Sequence, residues 1–235
     1  MVQQALISVS SVSPVAAAQR PGRIFLLSPA NCGGRRAKQA LSPDAQFPLA
    51  VALRSADGAP LGDLFTFVSG LYFRGKLTYA RRFARPVEPD NPIAGAGIHV
   101  ITANAGLRSP ETLVTGAAVR AFAKGDIHAD NASYRRPLEA SACALLAEIG
   151  SECDVVLLGS IASPKYVDIL TGIFGSRLQF PICFVGRGDM SRGGLLLRQA
   201  SAGVELDYVP VVGAALHGAR PAKLAPLRNG RRADL

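Results

Sequence analysis

The chain has 235 residues and a formal charge of +9, from 26 Lys and Arg against 17 Asp and Glu, and 49% of it is hydrophobic. That hydrophobic share excludes disorder as a global description, and the length suffices for a sizeable core in one domain. Tryptophan is absent and aromatics make up only 6%, which argues against an aromatic base-stacking surface, and apolar runs such as Val155-Val156-Leu157-Leu158 fall far short of the roughly 20 residues of a membrane helix.

Residues 1–22 carry no base before Arg20, and serines interrupt their weakly apolar run. A secretory signal wants a basic start and a cleaner apolar stretch, so a disordered extension is expected. Residues 23–28 form a short apolar run closing on Pro29-Ala30-Asn31-Cys32-Gly33-Gly34, which predicts a buried strand and a tight loop, with a helix able to start at Arg35. Residues 69–84 place Leu71, Phe73, Leu77, Ala80 and Phe83 at helical spacing, with Arg74, Lys76, Arg81 and Arg82 on an expected basic outer face. A Pro/Gly-rich surface loop is expected over 86–97.

A second strand is predicted at 98–102, helical composition over 115–123 and 135–149, and a third strand at 153–158. Ser163 and Pro164 suit the cap and first position of the next helix. A fourth strand over 178–185 contains Pro181, which suits an edge or a bulge. Residues 186–194 read as a glycine-rich loop, and 195–200 and 204–209 as a final pair of strands. Residues 213–235 form a basic, Pro/Gly-rich tail with Arg220, Lys223, Arg228, Arg231 and Arg232.

Strands alternating with helices predict a three-layer α/β domain over 23–212, with a mainly parallel central sheet flanked by helices. Ligands of such sheets bind outside the carboxyl ends of the strands. The loops 28–34, 102–106, 159–165 and 186–194 leave those ends. In the first, Cys32 stands beside Asn31, glycines, Arg35 and a helix start, which would lower a thiol pKa and suit an anion; a buried Cys before a turn is the alternative. In the last, Arg187 and Arg192 could clamp a phosphate with Ser191, and Asp189 could be a general base; a hairpin with an internal salt bridge is the alternative. Lys165, in a first helical turn, is badly placed for the helix dipole, which favours a binding role beside Ser160 and Tyr166. The four cysteines lack C-x-x-C spacing and nearby histidines, so no metal or cofactor is expected, and reduced thiols suit a cytoplasmic protein.

Taken in order, several short motifs resemble a bacterial family of uncharacterised domains near the uracil-DNA-glycosylase-like fold. They are Leu26-Leu27-Ser28-Pro29-Ala30-Asn31-Cys32, the aromatic segment from Tyr72-Phe73 to Tyr79-Ala80, Gly106-Leu107-Arg108-Ser109-Pro110, Gly159 with Tyr166, and Pro181 with Gly186-Arg187-Gly188. The glycosylases' own catalytic motifs, an early Asp-Pro-Tyr and a late His-Pro-Ser, are absent. The resemblance implies that fold and a nucleobase, nucleotide or nucleic-acid context, without glycosylase activity. On this reading Arg35, Arg187 and Arg192 hold a phosphate-bearing ligand, Asn104 reads a base edge, and Cys32 or Asp189 supplies chemistry. The alternatives are a non-catalytic DNA- or RNA-binding protein with a basic surface, and a partner-binding scaffold. No membrane partner is expected.

Overall fold

The computed structural model describes residues 21–162, 164–222 and 224. Eight strands and eight α-helices are described: β1 (Gly22–Leu27), α1 (Arg35–Ala40), α2 (Pro48–Arg54), β2 (Ala59–Pro60), α3 (Leu61–Ser69), α4 (Leu71–Phe83), β3 (Ile98–Ile101), β4 (Leu107–Arg108), β5 (Leu113–Val114), α5 (Gly116–Lys124), α6 (Ala132–Glu148), β6 (Cys153–Leu158), α7 (Pro164–Phe174), β7 (Leu178–Pro181), α8 (Asp189–Ala202) and β8 (Tyr208–Pro210).

The main sheet has the order β4-β3-β1-β6-β7-β8. Its four central strands are parallel, and β4 and β8 run antiparallel at the two edges. The side chains of β1 from Ile24 to Leu27 and of β6 from Val155 to Leu158 are fully buried. Two covered faces explain why these strands read as unbroken apolar runs, each large side chain contributing about 1.5–3 kcal/mol by leaving water. Helices α6 and α7 pack on each other on one face, and α3, α4 and α8 assemble on the other. The fold is therefore α/β, with a mainly parallel mixed sheet between helices, as expected. A separate two-stranded ladder joins β2 to β5.

Several expectations fail around α8. Residues 195–200 are helix, not strand, and the glycine-rich loop ends at Gly188. Strand β7 stops at Pro181 and turns into a 3-10 segment, and β8 covers only the last part of the expected 204–209 strand plus Pro210. The reason lies in the packing of α8 against α4, the most extensive contact between any two elements. A Cβ on Gly75 would stand 2.6 Å from the Gly193 carbonyl oxygen, and one on Gly193 would stand 2.8 Å from Tyr72 Cα. Gly193 is in the helix so that two backbones can touch, where sequence alone reads glycine as a loop residue. The basic face of α4 is also partly corrected: Arg74, Arg81 and Arg82 are exposed, but Lys76 points inward and is 1% exposed. Residue 69 belongs to α3, and Gly70 alone separates that helix from α4. The expected N-terminal extension, residues 1–22, lies outside the described residues apart from its last two, and Gly22 already begins β1.

Among the described residues no helix is long and apolar enough to cross a membrane.

Candidate functional site

Strand β1 leads to β3 on one side, and its other neighbour, β6, is reached by a crossover in the opposite direction. Where connections diverge in this way a crevice opens between the strand ends, and ligands of open α/β sheets bind there. A cavity of about 590 Å³ occupies that place, lined by Ser28 from the end of β1 and Ser160 from the end of β6. Its size suits a small organic ligand.

The cleft collects six of the residues singled out from sequence: Asn31, Cys32, Ser160, Lys165, Tyr166 and Asp189. Asn31 is exposed, and its side-chain oxygen accepts the Gly33 N–H at 2.9 Å, shaping the loop that follows β1. Tyr166 is buried, and its hydroxyl donates to the Ser160 carbonyl at 3.0 Å. Ser163, the expected cap of α7, lies outside the described residues.

Cys32 does not have the environment expected for a reactive thiol. It is 4% exposed, and burial pushes its thiol up to about 11. The nearby helix start and arginines do not overcome the loss of solvent, so the thiolate is scarce near neutrality. None of the three histidines lines the cleft; His99 is buried in β3, where burial pushes it down to about 4.

The expected phosphate clamp is not assembled. Arg35 is an exposed first residue of α1 and Asn104 lies in the turn between β3 and β4; neither lines the cleft. Arg192 is committed elsewhere: Nε and Nη2 donate to the Phe184 carbonyl at 3.2 and 3.0 Å, and Nη1 meets Asp189 at 3.5 Å. Arg187 and Ser191 face a second hollow of about 310 Å³, shared with Arg198 and Arg220. Arg187 donates to the Cys183 carbonyl at 3.0 Å and to Ser191 Oγ at 3.2 Å, so its guanidinium is held in place there.

Sequence reasoning missed the lysine behind the Ser28 wall of the cleft. Lys76 Nζ donates to the Ser28 carbonyl at 2.7 Å and to Ser28 Oγ at 2.8 Å. It also lies 4.5 Å from the Tyr72 ring centroid and 4.8 Å from that of Phe73. Burial pushes this amine down to about 7, with Arg192 adding to the shift and Asp189 opposing it. Lys76 does not itself line the cleft, but Tyr72 does, and the buried Tyr72 hydroxyl has no hydrogen-bond partner among the described residues. A signal for Lys76 existed: Phe73, Lys76, Leu77 and Ala80 occupy one helical stripe, so this lysine interrupts an apolar face. Asp126, from the segment after α5, is a further lining residue without a motif of its own.

Among the described residues no group of three or more His, Cys, Asp or Glu could hold a metal. Comparison of the chain with protein-family models, with curated proteins and with solved structures found no match.

Proposed function

We propose that the protein binds a nucleobase-containing ligand, with the base in the cleft between β1 and β6 and the phosphate in the arginine hollow beside it. The observation that carries this reading is that the two hollows share the first turn of α8. Asp189 lines the cleft, while Met190 and Ser191 line the hollow with Arg187, Arg198 and Arg220. The cleft offers Asn31, Asp126, Ser160 and Lys165 for hydrogen bonding, against apolar walls at Phe122 and Ile127. One lysine against Asp126 and Asp189 makes it a poor phosphate cradle but a good match for a neutral, flat, polar ring. Three arginines with no acidic lining suit a phosphate.

We also propose that the fold is uracil-DNA-glycosylase-like. In support, the motifs of the resemblance follow the ends of the parallel strands in turn: Cys32 after β1, Gly106–Pro110 after β3, Gly159 and Tyr166 after β6, and Gly186–Gly188 after β7.

A thermal-shift screen of the protein against nucleobases, nucleosides, nucleotides and short oligonucleotides at two salt concentrations tests the ligand. A ligand at 100 times its Kd adds about 2.7 kcal/mol of stability, enough to read. Nucleosides should stabilise at both salts, and nucleotides more strongly. Replacing Arg198 and Arg220 together by Ala should remove only the nucleotide's advantage. Stabilisation by oligonucleotides alone, vanishing at higher salt, would instead make this a backbone-binding protein. No shift with any of these compounds sinks the proposal.

A further inference from the structure

Where Ser28 lines the cleft, it and the lysine behind it form a pair of groups that ligand binding does not need. Ser28 terminates β1, lines the cleft, and is 7% exposed. Lys76 stands directly behind it at hydrogen-bond distance from Oγ, and its other close polar contact is the Ser28 carbonyl. Gly159 lets the neighbouring chain approach: a Cβ there would lie 2.9 Å from both Ser28 Cβ and the Tyr166 hydroxyl. Ser28 therefore sits between a buried amine and a buried phenol, at the wall of a cavity open to solvent.

We infer that Ser28 is a nucleophile and Lys76 its general base, so that the cleft can take a small substrate bearing an ester or amide carbonyl and transfer its acyl group to water.

The geometry fixes both partners. The ammonium donates to both the Ser28 carbonyl and Oγ. Once it loses its proton, one N–H keeps the carbonyl and the lone pair turns to the Oγ contact, where it accepts the hydroxyl proton. The faces of Tyr72 and Phe73 hold the amine from α4, and Tyr166 stands beside Ser28 from α7. From α8 the facing charges are Asp189 and Arg192, paired with each other at 3.5 Å; no carboxylate hydrogen-bonds Lys76 among the described residues. An unpaired amine deprived of water loses its proton near neutrality, where a base is needed. In the first half-reaction Ser28 Oγ bonds to the carbonyl carbon as its proton passes to Lys76 Nζ. The ammonium then protonates the alkoxide or amine as the scissile bond breaks. In the second half, water attacks the acyl carbon and gives its proton to Nζ, and Ser28 Oγ leaves with that proton. Only water is consumed besides the substrate.

The test is reaction of the full chain with a fluorophosphonate, which phosphonylates an activated serine with loss of fluoride, read by peptide mass spectrometry. A single adduct on Ser28 is expected, forming faster as pH rises through about 7 and levelling above it. Ser28→Ala should give no adduct, and Lys76→Met should slow labelling at least about 100-fold with the fold intact by circular dichroism. No adduct on Ser28 overturns the inference, as does Lys76→Met labelling at the wild-type rate. Should that variant not fold, a wild-type labelling rate that is flat from pH 6 to pH 9 overturns it equally. Labelling needs no nucleobase, so its failure leaves the ligand reading standing, and a failed ligand screen leaves this one.

Discussion

At the amino end of β1, Arg23 pairs with Asp154 of β6 at 3.0 Å and with Glu205, and Glu205 also meets Arg85 at 3.1 Å. Gln179 of β7 donates to the second Asp154 oxygen at 2.9 Å. At the carboxyl end, Lys76 is more deeply buried and has only neutral partners. Burial acts on both groups in the same sense, lowering the pKa, yet the outcomes are opposite. Bonds to Glu205 and Asp154 outweigh it for Arg23, which ends above its usual value, whereas Lys76 falls to about 7. A charge paired with carboxylates ties strands together; a buried amine left unpaired is costly to fold around and chemically poised. The same strand thus has a structural end and a reactive one.

Removing the match should cost most. Glu205→Gln leaves Arg23 and Arg85 partly buried and short of their shared anion, and should destabilise the protein by about 3 kcal/mol in chemical denaturation. A loss below about 0.5 kcal/mol would mean that this cluster is no more than a surface network, and the contrast between the ends would collapse.

At the other end the effect is on pH dependence. Lys76 binds its proton less readily when folded, with a value near 7 against the usual 10.5. Between those values the unfolded chain holds more protons, so stability should rise with pH there, by at most about 1.4 kcal/mol per pH unit. Lys76→Met fills similar volume without the charge and should flatten that slope, seen as denaturation midpoints across pH 7–10. An unchanged slope in the variant would assign the pH dependence to other groups.

The smallest effect is expected from Arg81, on the outer side of the same helix. It meets Glu111 at 2.7 Å, but both side chains are about half exposed or more. Arg81→Ala should change stability by no more than about 0.5 kcal/mol. A larger loss would show that partnership alone, without burial, sets the worth of charges in this protein.

Much of the scaffold is legible in the residue order. Ile24–Leu27 of β1 and Val155–Leu158 of β6 are unbroken apolar runs, and β3 is apolar apart from His99, because both sheet faces are covered, and α5, α6 and α7 show their composition and, at Pro164, a start signal. The ends of those strands lie at one edge of the sheet, which is why Asn31, Ser160, Lys165 and Tyr166 line one cleft. What misleads is chemistry whose meaning depends on a distant partner. Gly193 signals a loop until α4 is seen lying against it. Arg187 and Arg192 suit a phosphate clamp until the turn of α8 sends one to a separate hollow and the other to Asp189 and Phe184.

The sequence by itself determined the layers: alternating apolar strands and helices admit few arrangements other than a covered, mainly parallel sheet. Only the tertiary structure decided which polar groups lose their water. Lys76 looks like three other bases on its helix, and Cys32 like a thiol activated by its neighbours. Desolvation is a property of everything packed around a side chain, gathered here from β1, α4, α7 and α8, and no local stretch of sequence contains it.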